Sequence, residues 1–299
     1  MFFDNHTHST FSPDARTTVM ESIEFASTHG LSGVAFTDHL DLDAPARDCE
    51  FKFSIKEQQS EIDRCANIYA ERLERLGNGY CRGAGNRDDK GTRNTFCREE
   101  KKNKLQIFKG IEVGLQYDSI DKIRDYLKGF CFDVVIGSVH FVEHLDPYMQ
   151  TYYEGKDYKR AYNGALEAIC KTAFEYRDFD ILGHFDYITR YRDYPCRTIT
   201  LKEFGDYLEP LLRFLAETGK ALEVNTNTYK ERFGGTPALD INILKRFREL
   251  GGEALSFGSD AHDAFRLGEA FEYFAQMVKK CGFTHLAYYK DRKPHFYKI

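Results

Sequence analysis

The chain has 299 residues, 42% of them hydrophobic, and 42 basic against 47 acidic side chains leave a net charge of −5. That length suits one barrel or two smaller domains; the acidic balance argues against a surface built to grip nucleic acid, but not against an anionic substrate met by bound cations. No apolar run approaches the roughly 18 residues of a membrane span, the first residues lack the pattern of a secretory signal, and the 8 cysteines form no C-x-x-C pair, so the expectation is a cytoplasmic enzyme with reduced, mostly buried thiols.

In chain order, the first strand is predicted at Phe2–His6 and the second at Gly33–Thr37. Ser54-Ile55-Lys56-Glu57 reads as a capping box opening a helix to about Leu76, with Ile55, Ile62, Cys65, Tyr69 and Leu73 along one side. Asn78–Lys104 breaks the rhythm. It is rich in Gly, Asn, Arg and Lys, carries few periodic apolar residues, and is expected to be a flexible surface insertion. Strands follow at Leu105–Glu112, Val134–Ser138 and Ile181–Gly183. Thr200-Leu201-Lys202-Glu203 is a second capping box, ahead of Phe204, Leu208, Leu211 and Leu215, with Gly219 as the stop. Strands at Ala221–Val224 and Leu255–Ser259 come next, and Phe283–Tyr289 with Pro294–Ile299 predicts a terminal hairpin. Strand and helix alternate, which favours a parallel sheet closed or nearly closed into a single-domain α/β barrel.

Histidines and acids fall at the carboxyl ends of those strands. His6 and His8 end the first; residues i and i+2 of an extended chain point to one side, so both imidazoles can reach one metal. Asp14 and then Thr37-Asp38-His39 follow. Glu112, His140, His184 and Asp260 with His262 close later strands. In α/β barrels the active site lies on that face. So many polar groups converging inside a barrel each need a partner, and metal ions supply one. Imidazole and carboxylate ligands without Cys suit zinc, manganese or iron. His29, His144, His285 and His295 fall outside the pattern, and Asp41 and Asp43, just after His39, read as loop acids ahead of the alternative that they support the ligands from behind.

The motifs His6-Thr7-His8, Thr37-Asp38-His39, Gly110-Ile111-Glu112, Gly137-Ser138-Val139-His140, Gly183-His184-Phe185-Asp186 and Gly258-Ser259-Asp260-Ala261-His262, in this order, resemble the polymerase-and-histidinol-phosphatase (PHP) superfamily. Leu222-Glu223-Val224-Asn225-Thr226 and the stand-alone size look like its monofunctional histidinol-phosphate phosphatases. The resemblance implies a distorted seven-stranded (β/α) TIM-like barrel with three divalent metal ions. His6, His8, Glu112 and Asp260 would bind the first; Glu112, His140 and His184 the second, with Glu112 bridging; Asp14, His39 and His262 the third.

Such a centre implies phosphomonoester hydrolysis by in-line attack of a metal-bridging hydroxide, without a covalent enzyme intermediate. Glu112, Asp260 and His262 are the expected catalytic groups, the last two as candidates for proton transfer. Lys230, Arg232 and Arg266 follow ligand-bearing strands and are candidates to hold the phosphate. The expected partner is a small phosphate ester, with L-histidinol phosphate first. A nucleic-acid 3′ end or another small phosphate is the alternative, weakened by the lack of an extended basic track.

Overall fold

The structure, a computed structural model, describes residues 1–44, 51–83 and 104–299, without the side chains of 77–83. Most of the expected insertion therefore lies outside the described residues, as do the side chains of Cys49, Cys81 and Cys97.

The elements, in order, are β1 (Phe3–Thr7), α1 (Val19–Thr28), β2 (Gly33–Phe36), β3 (His39–Leu40), α2 (Ile55–Gly83), β4 (Gln106–Gly114), α3 (Ile120–Leu127) and β5 (Val134–Ser138). They continue with α4 (Tyr158–Tyr176), β6 (Ile181–Leu182), α5 (Leu201–Thr218), β7 (Ala221–Asn225), α6 (Ile241–Glu249), β8 (Leu255–Gly258), α7 (Phe271–Lys280), β9 (His285–Lys290) and β10 (Lys293–Lys298). Each predicted strand is present within two residues at either end. The two-residue β3 is an addition; it pairs with β4 in the register His39↔Glu112, which sets two predicted ligands side by side.

The strands run parallel in the order β1-β2-β4-β5-β6-β7-β8. β1 and β8 nearly close the ring through a bridge between Thr7 and Ala261, the His8 amide donating to the Ala261 carbonyl at 2.9 Å, and the Asp260 amide donating to the His6 carbonyl at 2.8 Å. Apolar strand residues are fully buried, among them Val34, Phe36, Ile111, Val134, Ile136, Leu222 and Phe257; Val34 and Phe36 pack with Val19 and Ile23 of α1, and Phe257 with Phe271 of α7. Helices cover the outside, as parallel crossovers require.

Local signals behave as read. Ser54 Oγ accepts from the Glu57 amide at 3.3 Å, Thr200 Oγ1 accepts from the Glu203 amide at 3.2 Å, and Gly219 ends α5 at φ 67°. α2 runs on past Leu76 to Gly83, inside the segment expected to be an insertion. The hairpin β9–β10 lies across the amino ends of the strands: Tyr288 stacks on Phe3 with ring centroids 3.9 Å apart, and the Arg292 guanidinium pairs with Asp178 and Asp180 just ahead of β6. The opposite, carboxyl end is left to the polar cluster. Of the cysteines with described side chains, Cys65, Cys170 and Cys281 are buried, Cys196 is half-buried and Cys131 is exposed; all are free thiols.

Candidate metal centre

Every residue predicted as a ligand comes to this carboxyl end. Glu112, from the interior of β4, is fully buried at the centre. Its Oε1 lies 3.2 Å from His6 Nε2, 3.2 Å from His140 Nε2 and 2.8 Å from His184 Nε2; its Oε2 lies 2.8 Å from His39 Nδ1 and 3.6 Å from His8 Nε2. Asp260 Oδ1 is 3.3 Å from His8 Nε2 and 4.0 Å from His6 Nε2. Asp14, at the rim, puts Oδ2 3.3 Å from His262 Nε2 and 3.9 Å from His39 Nε2.

A second layer fixes the rings. His6 Nδ1–H donates to Glu223 Oε1 at 2.7 Å, and Glu223 Oε2 accepts the His184 amide at 2.7 Å. His140 Nδ1–H donates to Asp41 Oδ1 at 2.9 Å. Ser12 gives its hydroxyl proton to Asp38 at 2.9 Å, so its oxygen accepts from His8 Nδ1–H at 3.2 Å. In each case the anchored nitrogen carries a proton and Nε2 is the atom turned toward the carboxylates of the cluster, the atom a metal would take. Burial would lower His6 and His140, but the facing carboxylates raise both imidazoles well above the usual range, so each would give up its Nε2 proton on taking up an ion.

Several inward atoms are buried without a hydrogen-bond partner: His6 Nε2, His8 Nε2, His39 Nδ1 and Glu112 Oε2. Leaving such groups unsatisfied is costly. Ligand atoms of His6, His8 and Glu112, of Glu112, His140 and His184, and of His8, His39 and His262 each lie close enough to share an ion. The donor set therefore fits hard or borderline divalent metals. Protonation agrees at two positions. Burial lowers the His8 imidazole, and the neighbouring His39 and His262 lower it further; burial likewise keeps His184 neutral. Burial would raise the Glu112 carboxyl, but His6, His140 and His39 hold it well below the usual range, as a ligand anion.

The cluster opens into a cavity of about 510 Å³ lined on the ligand side by Asp14, His39, His140, His184, Asp260 and His262. Arg190, Arg232 and Arg266 line it as well, with Tyr148, Tyr187 and Tyr191, and Arg190 reaches the cluster itself at Asp260. Arg232 and Arg266 are thus where the sequence suggested. Lys230 is not on this wall; its ammonium pairs with Glu269 at 2.6 Å. Asp41, read as a loop acid, is buried and orients His140, because β3 turns the chain back beside β4. Arg190 and Glu223 were missed as well. Glu223 had a signal, an acid between Leu222 and Val224 in an apolar strand; Arg190 had none. Its Nη1 pairs with Asp260 Oδ2 at 2.9 Å across 70 residues of sequence. His29 caps α1, His144 and His285 are exposed, and Asp43 pairs with Lys122, all away from the cluster.

The chain is 28% identical to the histidinol-phosphatase of Lactococcus lactis over 291 residues, 97% of this chain and 95% of that protein. It is 23% identical to the histidinol-phosphatase of Bacillus subtilis, over 91% of this chain and 98% of that one. The crystal structure of the Lactococcus lactis histidinol phosphate phosphatase, complexed with zinc, L-histidinol and phosphate, superposes with a TM-score of 0.75 at 26% identity and covers 98% of each chain. Residues 4–227, from the first strand through the cavity residue Asn227, match the PHP domain, and the chain belongs to the PHP domain family.

Proposed function

We propose that this protein is a metal-dependent phosphomonoesterase that hydrolyses L-histidinol phosphate to L-histidinol and phosphate, a step of histidine biosynthesis. The observation that carries the reading is the cluster of imidazoles and carboxylates lining one cavity together with three arginines, in a chain that pairs nearly end to end with an enzyme holding zinc, L-histidinol and phosphate. The ligands are assigned as three sets: His6, His8, Glu112 and Asp260; Glu112, His140 and His184; and Asp14, His39 and His262. When bound, divalent zinc, manganese or iron would supply Lewis acidity toward the phosphoryl oxygens and a water made acidic enough to attack near neutral pH.

The chain's own groups supply the rest. Glu112, by facing both of the first two sets, holds them together. Arg190 and Arg232 offer guanidinium donors to a dianionic phosphate, with Arg266 at the rim. Arg232 suits that role because, among the described residues, its guanidinium is held by the backbone carbonyl and side-chain oxygen of Asn227, at 2.8 and 2.9 Å, and pairs with no carboxylate. Burial would raise Asp260, but the Arg190 guanidinium keeps it ionised. It is therefore an anion suited to ligation. His262, partly exposed and with Nδ1 3.6 Å from Asp260 Oδ1, lines the cavity beside that carboxylate, and these two are the groups proposed to assist proton transfer to the leaving alkoxide. Glu112, Asp260 and His262 are the proposed catalytic residues.

A phosphate-release screen over histidinol phosphate, sugar phosphates, nucleotides and short oligonucleotides tests the assignment. Histidinol phosphate should give the highest kcat/KM. A preference for oligonucleotide 3′ ends would move the protein to a nuclease function on the same centre.

A further inference from the structure

Arg197 is almost fully buried yet lies behind the cavity wall. Its partners are backbone carbonyls rather than a carboxylate. Nη2 donates to the Arg190 carbonyl at 3.1 Å, and Nε and Nη2 lie 3.4 Å from the Thr189 carbonyl. Nη1 donates to the Gly235 carbonyl at 2.7 Å and also to the Arg232 carbonyl. One guanidinium thus grips the main chain of two separate loops at the very residues that present Arg190 and Arg232 to the cavity. Gly235 is shaped to it: a Cβ there would sit 3.2 Å from Nη1. The second loop is further pinned by paired amide–carbonyl bonds between Arg232 and Gly235 at 2.9 and 3.1 Å.

A buried guanidinium satisfied only by carbonyl dipoles keeps its positive charge. It grips the carbonyls of Arg190 and Arg232 without itself lining the cavity, so the held guanidinium ties the two loops to each other. It also fixes the spacing of the two front guanidinia, which bidentate recognition of a phosphate depends on.

We propose that Arg197 is a positioning residue for phosphate: it holds Arg190 and Arg232 at the separation a phosphoryl dianion requires, and takes no part in recognising the alcohol half of the substrate. This rests on the assignment of Arg190 and Arg232 to phosphate. The test uses the metal-loaded enzyme, with product inhibition by inorganic phosphate and by L-histidinol measured separately for Arg197→Met and Arg197→Lys.

For Arg197→Met, KM and the phosphate inhibition constant should rise about ten- to hundredfold, the range typical when a supporting partner is removed. The L-histidinol constant should stay within about twofold and metal content should be unchanged. Arg197→Lys, which keeps the charge and can reach some of the carbonyls, should recover part of the loss. If Arg197→Met does not fold, Gly235→Val, which crowds Nη1, should raise the phosphate constant selectively. Equal weakening of phosphate and L-histidinol, or an unchanged phosphate constant, overturns the proposal. If Arg232→Met weakens phosphate while Arg197→Met does not, positioning alone fails. If neither Arg232→Met nor Arg190→Gln weakens phosphate, the assignment beneath it fails.

Discussion

Glu112→Gln is the most informative single change, because it removes a charge and almost no volume. The side chain is fully buried, so no water can replace it, and its two oxygens face five imidazoles at 2.8–3.6 Å. An amide keeps the shape but presents one neutral acceptor and one donor, and the donor would point at imidazole nitrogens that need their lone pairs. A charge-assisted contact is worth about 1.5–3 kcal/mol, so the two ion sets that share Glu112 should each weaken about ten- to hundredfold. The set of Asp14, His39 and His262 should be less affected, since its own carboxylate is intact. The assay is metal content by plasma emission after equilibration against a weak chelator, with circular dichroism to establish that the variant is folded. Asp14→Ala serves as the converse, losing chiefly the rim ion. Near-normal occupancy of all ions in Glu112→Gln would refute the bridging role, whatever the activity did.

Glu223→Gln removes the acceptor that fixes the His6 tautomer and should cost about ten- to hundredfold in metal affinity, read from metal-buffered titration; unchanged affinity would show that His6 needs no such anchor. At Gly114 a Cβ would come 1.8 Å from Asp41 Oδ1, so Gly114→Ala should push that carboxylate off His140 and lower metal content more than Tm; the reverse pattern would make Gly114 a packing residue only. Phe3→Ala, which empties the stack under Tyr288 at the far end of the barrel, should cost about 3–5 kcal/mol in denaturant unfolding and leave KM unchanged. Exhaustive chelation should abolish phosphate release and leave the barrel folded, and added zinc, manganese or iron should restore it; activity that survives with no metal detectable would remove the centre from the reaction.

The strands, the two capped helices and the terminal hairpin were legible because their signals are local. A short apolar run ending in Gly and a polar residue marks a strand end, and a Ser or Thr three residues before Glu marks a helix start, whatever the rest of the chain does. The candidate ligands were legible for the same reason: a parallel barrel puts every strand's carboxyl end on one face, so His6, His8, Glu112, His140, His184 and Asp260 were placed together by topology alone. Asp41 was misjudged because its role depends on β3 folding back to pair His39 with Glu112, two residues of strand too short to show a period. Lys230, Arg232 and Arg266 were equivalent in sequence, being cations that follow ligand-bearing strands. Only the packed loops separate them, with Glu269 drawing Lys230 away while Asn227 holds Arg232 at the cavity. Arg190 and Arg197 carried no signal, since what defines them is a carboxylate or a carbonyl brought close from a distant part of the chain. The sequence by itself determined which atoms can ligate and which end of the barrel carries them, through short-range periodicity. The tertiary structure alone decided which ring nitrogens are anchored from behind and which cations line the cavity, because both depend on partners that only the closed barrel brings into contact.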